Sequence, residues 1–329
     1  MAADNHLDAA FAWDQHCCLP VAADCDIAPL LRYADVGVSY VSVNVGFAPH
    51  GLEESMRVVS SWRRQIRLAG DSLELVGTAG DITDAQQAGR LVIGFDLEDT
   101  NPLGGQISMV QTYYDLGVRS MLLTYNGENM AGCGCHAPED GGLTSFGRDV
   151  VDEMNRVGMM VDVSHCGYRT SMEAIERSAA PVIFSHSSMR GLWEHDRNIR
   201  DDQARACAAT GGVIGINGVG IFLGDNDASP EAMARHIDYA VQLVGPDHVG
   251  IGTDYVFDND DLGQELARNT GVFNASYQNW DDFKFVAPEQ LPELETELHG
   301  LGYSADDVAA IMGGNFLRVA EEVWQPGQG

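Results

Sequence analysis

Short apolar runs alternate with longer amphipathic stretches along most of the chain. Each run is rich in Val, Ile, Leu or Met, which is typical of a β-strand buried on both faces. The strands predicted in this way are Val38–Val45, Arg90–Leu97, Ser120–Thr124, Met159–Val163, Val182–Phe184, Val213–Ile216 and His248–Gly252.

Helices are predicted between these strands. Phe146–Val157 carries apolar residues at helical spacing, with Thr144 or Ser145 as a cap before it and Gly158 to end it. A second helix is predicted over Ser229–Val244, because a serine cap, a proline and a glutamate open it. In both cases a strand follows directly, and this alternation indicates a parallel sheet, either closed or doubly wound.

The chain length and the absence of a divider favour one α/β domain over residues 1–329. A single (β/α)₈ TIM-type barrel commonly takes about 250 residues or more. The chain has 329 residues, 45% of them hydrophobic, and no low-complexity run or Pro/Ser-rich linker divides it. A Gly-x-Gly-x-x-Gly loop after the first strand would favour a doubly wound sheet, and the sequence has none there.

Charge and cysteine content limit the partners and the compartment. With 49 acidic against 19 basic residues, the formal net charge is −30, which disfavours nucleic acid and anionic membranes as partners. The first residues show no signal-peptide pattern, no apolar run reaches the length of a spanning helix, and the last residues show no lipid-anchor tail. Seven cysteines, an odd number, predict reduced thiols in a cytoplasmic protein.

Four predicted strands end in a polar residue of metal-binding type. Glu98, His165, His186 and Asp254 each follow directly on a strand or one residue beyond it. The carboxyl ends of barrel strands form the active-site rim, so these side chains are expected to converge. Each residue alone is commonly structural, but four such strand ends together indicate a site. Two imidazoles and a carboxylate suit Zn²⁺ or a similar divalent ion, and a carboxylate can bridge two ions.

His16 and Cys18 add a second group of ligand type near the start of the chain. On an extended strand, residues two apart point to the same side, so these two side chains could share one ion. By itself, Cys18 is equally consistent with a small buried hydrophobe. Cys17 would face away from the site and is predicted to be a core residue.

Several longer motifs, in the right order along nearly the whole chain, are similar to those of the renal (membrane) dipeptidase family, peptidase family M19. The resemblance implies a divergent bacterial-type member of this family, with a (β/α)₈ barrel of the metal-dependent amidohydrolase kind. The motifs that carry it are Leu116–Asn126, Gly142–His165, Pro181–Asp202, His248–Tyr255 and Gly313–Val319.

The resemblance implies a zinc centre of two ions per chain. His16 and the Cys18 position would bind the first ion, Glu98 would bridge the two, and His165 and His186 would bind the second. The implied reaction is hydrolysis of a free dipeptide, including dipeptides with a D-residue on the carboxyl side, by a hydroxide that bridges the ions.

The resemblance also implies three residues that act on the substrate. Asp254 would hold the free amino group and move a proton, and Arg197 would pair with the free carboxylate. Tyr125 occupies the position of a family histidine that steadies the oxyanion, a task that its hydroxyl could also perform.

Two departures from the family pattern leave alternatives open. Cys18 stands where the family has an aspartate, so the first ion is either held by a softer ligand or held weakly. Tyr125 stands where the family has a histidine, which leaves open another N-acyl amino acid or small amide as substrate, or a barrel that binds without hydrolysis. The loop Cys133–His136 is predicted to cover the pocket rather than to bind a separate metal. A homodimer is left open.

Overall fold

The computed structural model describes residues 6–9, 11–274, 277 and 283–324. Residues 1–5 and 325–329, on which the predictions about a signal peptide and a lipid anchor partly rest, lie outside this range. All paired strands in the described sheets run parallel. The strands are β1 Trp13–Cys18, β2 Tyr40–Phe47, β3 Leu73–Leu75, β4 Leu91–Glu98, β5 Val118–Leu122, β6 Met160–Asp162, β7 Val182–Ile183, β8 Ile214–Ile216, β9 Val249–Ile251 and β10 Tyr255–Val256.

The strands form a closed barrel, which confirms the predicted fold class. Strands β1, β2, β4, β5, β6 and β7 pair in that order, and β3 pairs with the start of β4. A parallel bridge between Phe184 and Ile214 joins β7 to β8, and β8 pairs with β9. The chain then continues from β9 into β10, which pairs with β1 through Cys17 and Tyr255. The interrupted strand 249–256 therefore closes the barrel.

Helices follow most of the strands, as the alternating pattern predicts. Thr144 caps the helix Ser145–Val157 by accepting a hydrogen bond from the backbone N of Gly147, and Ser229 caps the helix Pro230–Val244 in the same way. The helices are α1 Leu31–Asp35, α2 Leu52–Leu68, α3 Ala79–Gln87, α4 Met109–Asp115, α5 Ser145–Val157, α6 Tyr168–Arg177, α7 Asp201–Ala209, α8 Gly220–Leu223, α9 Pro230–Val244, α10 Asn259–Arg268, α11 Leu291–Gly300, α12 Ala305–Ala309 and α13 Asn315–Val323.

An apolar plug fills the barrel at the amino ends of the strands. Trp13 and Tyr40 stack there with ring centroids 3.8 Å apart, and Phe316 of α13 packs against Trp13. Further along the strands, buried residues of the barrel become polar, as at Gln15 and Ser120, which share a hydrogen bond. The chemistry is therefore confined to the opposite, carboxyl end of the barrel. Within the described part of the chain, no helix combines the length and the apolar composition that a membrane span requires.

Candidate active site

The predicted metal-binding residues converge at the carboxyl end of the barrel. Glu98 Oε1 lies 3.0 Å from His16 Nε2, 3.3 Å from His186 Nε2 and 3.6 Å from His165 Nε2. The two Nε2 atoms of His165 and His186 are 3.0 Å apart. Cys18 Sγ lies 3.4 Å from His16 Nε2. The side chains thus form two groups of three, His16–Cys18–Glu98 and Glu98–His165–His186, that share Glu98.

Polar partners at Nδ1 turn two of the imidazoles so that Nε2 faces the centre of the cluster. His16 Nδ1 lies 3.2 Å from Asp96 Oδ1, a buried carboxylate. His165 Nδ1 lies 2.8 Å from Asn126 Oδ1, and an amide oxygen can only accept, so this Nδ1 carries the hydrogen. Metal-binding histidines use their second nitrogen in this way, which leaves the Nε2 lone pair for the ion. The donor set therefore fits a divalent metal.

Burial and positive charge keep two of the imidazoles neutral, as metal ligands must be. Burial lowers the pKa of His165 and of His186 well below the ordinary value, and the nearby Arg197 guanidinium adds to the effect. His186 Nδ1 also lies 2.7 Å from Ser185 Oγ. Both Nε2 atoms are consequently available to an ion over the ordinary pH range.

His16 behaves differently because two carboxylates face it. Burial alone would lower its pKa, but the charges of Asp96 and Glu98 outweigh that effect and raise the pKa well above the ordinary value. The raised pKa means that the protonated, positively charged form of His16 is favoured beside Glu98. A metal cation bound at Nε2 would supply positive charge at the same place. The position therefore favours positive charge, as a metal site must.

Cys18 lies on the cluster side of β1, whereas Cys17 lies in the core. Burial raises the pKa of the Cys18 thiol, and its Sγ is 3.7 Å from Asp254 Oδ1. Cys17 is fully buried among apolar residues, which confirms the prediction made for it.

Three residues of the site have a backbone conformation that is unusual for residues other than glycine. His165, Asp254 and Asn126 have φ of 61°, 55° and 57°, in the left-handed region. Non-glycine residues seldom adopt this conformation, and such strain concentrates at functional sites. The backbone of Asp254 is held by a hydrogen bond from its N to the O of His16, 2.9 Å long, so barrel closure positions this carboxylate.

A cavity beside the cluster, called the main cavity below, is lined by Glu98, His165, Asp254 and Tyr125 among other residues. Asp254 and Tyr125 border the cluster on the side of this cavity. Asp254 Oδ2 accepts a hydrogen bond of 2.9 Å from Asn217 Nδ2, and its Oδ1 is 3.7 Å from His16 Nε2. Burial raises the pKa of Asp254. The Tyr125 ring stacks on His165 with centroids 4.2 Å apart, and burial raises its pKa well above the ordinary value, so it keeps its hydroxyl proton.

Arg197 lies next to the cluster residue His186. Its guanidinium is buried, and its two Nη atoms donate to Ser187 Oγ and to the backbone O of His186. It lines a second cavity, which His165 also lines, and it is not among the residues that line the main cavity. The predicted carboxylate partner is therefore close to the cluster, next to His186, and lines the second cavity.

The loop Cys133–His136 lies beside the cluster, and its residues Gly134 and Cys135 line the second cavity. Its role as a pocket cover stays a prediction. The N of Cys135 donates to the backbone O of His165, and His136 Nε2 lies 2.9 Å from the hydroxyl of Tyr277. Neither cysteine of this loop belongs to a metal-type cluster in the described residues.

Sequence reasoning did not identify the residues that orient the ligands. Asp96 lies two residues before Glu98 on the same face of β4, and Asn44 interrupts the apolar run of β2 to donate a hydrogen bond to Glu98 Oε2. A polar residue inside a strand that is otherwise apolar was the available signal. For Asn126, which directly follows Tyr125, no comparable signal exists.

Comparison with known proteins gives a consistent picture. Residues 10–267 match the family model described as membrane dipeptidase, peptidase family M19. The chain is 31% identical over 312 residues to dipeptidase aclJ of Aspergillus oryzae, covering 90% of the chain and 69% of that protein. An uncharacterized dipeptidase of Schizosaccharomyces pombe is 34% identical over 212 residues, which are 62% of the chain and 51% of that protein. The chain thus matches only about half of the length of this second relative.

Solved structures agree on the fold. An amidohydrolase from Pseudomonas aeruginosa superposes with a TM-score of 0.87 at 29% identity, over 98% of both chains. A metallopeptidase from Rhodobacter sphaeroides, solved with a phosphinate mimic of L-Ala-D-Ala, gives a TM-score of 0.78 at 18% identity, over 96% of this chain and all of that one.

Proposed function

Because the chain belongs to the membrane dipeptidase family, peptidase family M19, we propose that it is a metal-dependent dipeptidase that hydrolyses the peptide bond of free dipeptides. One observation carries the proposal. Two groups of three metal-type ligands share the carboxylate of Glu98, and a carboxylate, Asp254, lies 3.7 Å from both His16 and Cys18.

The metal centre is proposed to hold two Zn²⁺ ions. His16, Cys18 and Glu98 would hold the first, and Glu98, His165 and His186 would hold the second. Thiolate, imidazole and carboxylate are all ordinary zinc ligands. When bound, such ions supply Lewis acidity, which polarises a carbonyl and lowers the pKa of water.

Three side chains then act on the dipeptide itself. Asp254 would bind the free amino group. It would also take a proton from the attacking water and pass that proton to the leaving amine. Tyr125 would donate its hydroxyl hydrogen to the carbonyl oxygen as negative charge develops there. Arg197 would pair with the free carboxylate, so that both termini of a dipeptide are recognised and longer peptides are excluded.

The test combines elemental analysis with hydrolysis of unmodified dipeptides, with and without added Zn²⁺. We expect about two ions per chain and zinc-dependent release of free amino acids, both reduced in His186→Ala. Cleavage of N-acetylated amino acids in preference to free dipeptides would instead identify the enzyme as a hydrolase of N-acyl amino acids. Absence of hydrolysis in a fully metallated protein would refute the proposal and leave a binding role.

We also propose that the chain works in a reducing compartment such as the cytoplasm. All seven cysteines are free thiols, and Cys18 must stay reduced to bind an ion. The homodimer considered from the sequence stays a prediction.

A further inference from the structure

Two cavities of different polarity meet at the metal-type cluster. The main cavity has a volume of about 270 Å³ and is lined by Glu98 and Asp254, whereas the second, of about 320 Å³, is lined by Arg197. His165 lines both. If the proposed dipeptidase activity is correct, a dipeptide with its amino group at Asp254 and its carboxylate at Arg197 lies across His165. Its two side chains then face different cavities.

The main cavity is suited to a large apolar side chain. Its wall is mostly aliphatic and aromatic, and includes Val21, Phe47, Ile221, Val256, Leu262 and Phe285. Asp258, Asp261, Glu265 and Arg268 also line this cavity, and Arg268 Nη1 pairs with Glu265 Oε1 at 3.2 Å. The carboxylates of Asp258 and Asp261 form no ion pair in the described residues. Burial of apolar substrate surface against this wall stabilises the complex, and an acidic substrate side chain would meet charges of its own sign.

The second cavity has an excess of positive charge. Of its three arginines, Arg190 already pairs with Asp196, Nη2 to Oδ1 3.4 Å. Arg197 donates only to neutral oxygens, and the Arg200 guanidinium lies 4.8 Å from the ring centroid of Tyr168. Neither Arg197 nor Arg200 forms an ion pair with a carboxylate in the described residues.

The carboxylate of Asp140 also lines this cavity, but it forms no ion pair with Arg197 or Arg200 in the described residues. Its oxygens accept hydrogen bonds from the backbone N of Gly142, from the backbone N of Arg169 and from Thr170 Oγ1. Gly142 lies in the loop before α5, and Arg169 and Thr170 lie in the first turn of α6, so this carboxylate links these two segments. Two unpaired guanidinium groups therefore remain, one for the terminal carboxylate of the substrate and one for a second anion.

We propose that the preferred substrate is a dipeptide with a large apolar amino-terminal residue and an acidic carboxyl-terminal residue. The main cavity selects the first side chain, and the second cavity selects the other. Arg197 pairs with the terminal carboxylate, and Arg200 pairs with the carboxylate of the acidic side chain.

The test compares Phe-Glu with Glu-Phe, two dipeptides of identical composition, in the zinc-loaded enzyme. We expect kcat/KM to be at least about tenfold higher for Phe-Glu, since pockets distinguish side chains by such factors. Equal values, or a preference for Glu-Phe, overturn the inference while leaving the dipeptidase activity intact. Failure to cleave either of these, or Ala-Ala, contradicts the dipeptidase proposal itself.

Two variants test the cavities separately, each with a matched control. Arg200→Ala should lower the ratio of kcat/KM for Phe-Glu over Phe-Gln about two- to fivefold, as for an exposed ion pair. Arg57→Ala, an exposed arginine of α2 that lines neither cavity, should not change it. Leu262→Asp should lower the ratio for Phe-Glu over Ala-Glu, and Leu68→Asp, at an exposed position outside both cavities, should not. If Arg200→Ala and Leu262→Asp both give the same kcat/KM ratios as their control variants, the assignment of the two side chains to the two cavities is overturned.

Discussion

Replacement of Cys18 by serine is the most direct test of the first metal site. The substitution replaces the sulfur atom by an oxygen atom and changes the side-chain volume only a little. A cysteine with a purely structural role would therefore tolerate it. A ligand would not, because a neutral hydroxyl is a poor donor to Zn²⁺ compared with thiolate, imidazole or carboxylate. The matched control is Cys17→Ser, next in sequence but buried in the core.

The structure sets the expected magnitude. An ion at the first site would be held by Cys18 Sγ, His16 Nε2 and Glu98 Oε1, the last two 3.0 Å apart, and Cys18→Ser leaves only two of these ligands. Mutation of residues that merely orient ligands already costs about 10- to 100-fold in metal affinity. Loss of a ligand should therefore weaken the first site by at least about 100-fold. The second site keeps Glu98, His165 and His186.

The assay is metal titration of the apoprotein with Zn²⁺ and, separately, with Co²⁺. Wild type should bind about two ions per chain, and its Co²⁺ form should show a sulfur-to-cobalt charge-transfer band in the near ultraviolet. Cys18→Ser should retain one tightly bound ion and lose the band. Cys18→Asp places the family residue at this position, so it should again bind an ion at the first site but show no charge-transfer band.

Two results would refute this reasoning. If Cys18→Ser binds both ions with wild-type affinity, the sulfur is not a ligand. If the wild-type Co²⁺ protein shows no charge-transfer band although two ions are bound, Cys18 is a neighbour of the centre and the first ion is held by other groups. The cluster His16–His186–Asp254 is the alternative that the geometry offers.

The remaining predictions concern catalysis and stability. Asp254→Asn should lower kcat for dipeptides by about 100-fold or more, the usual contribution of a positioned acid–base group, with metal content unchanged; wild-type turnover would show that this carboxylate moves no proton. Tyr125→Phe should lower kcat by about 100-fold if its hydroxyl steadies the oxyanion, whereas a tyrosine that only packs on His165 would leave kcat unaffected. The fully buried His236 should make unfolding pH-dependent, because burial lowers its pKa to about 4 from 6.5 and Met189 N donates to its Nδ1. As the pH falls from 6.5 to 4, the unfolded chain takes up a proton that the folded chain refuses, so stability should fall by up to about 3 kcal/mol; urea unfolding of His236→Gln should show a shallower fall, and an equal fall would assign the effect to other groups.

The sequence alone was informative about where the strands end and which residues stand there. A strand buried on both faces is mostly apolar, so its end is marked where the apolar run stops, and Glu98, His165 and His186 lie at such an end or within two residues of it. Alternation of side chains along a strand likewise separated Cys18, which faces the cluster, from Cys17, which is in the core. Local helix capping by Thr144 and Ser229 was also readable, because both interactions span only three residues.

Tertiary structure decided what depends on distances between remote segments. His16 and Asp254 come from opposite ends of the chain and meet only because the interrupted strand 249–256 closes the barrel against β1. The Nδ1 partners of His16 and His165, which set the direction of each Nε2, depend on the same packing. So does the position of Arg197 on the second cavity, since residue type and spacing specify a guanidinium but not the cavity that it lines.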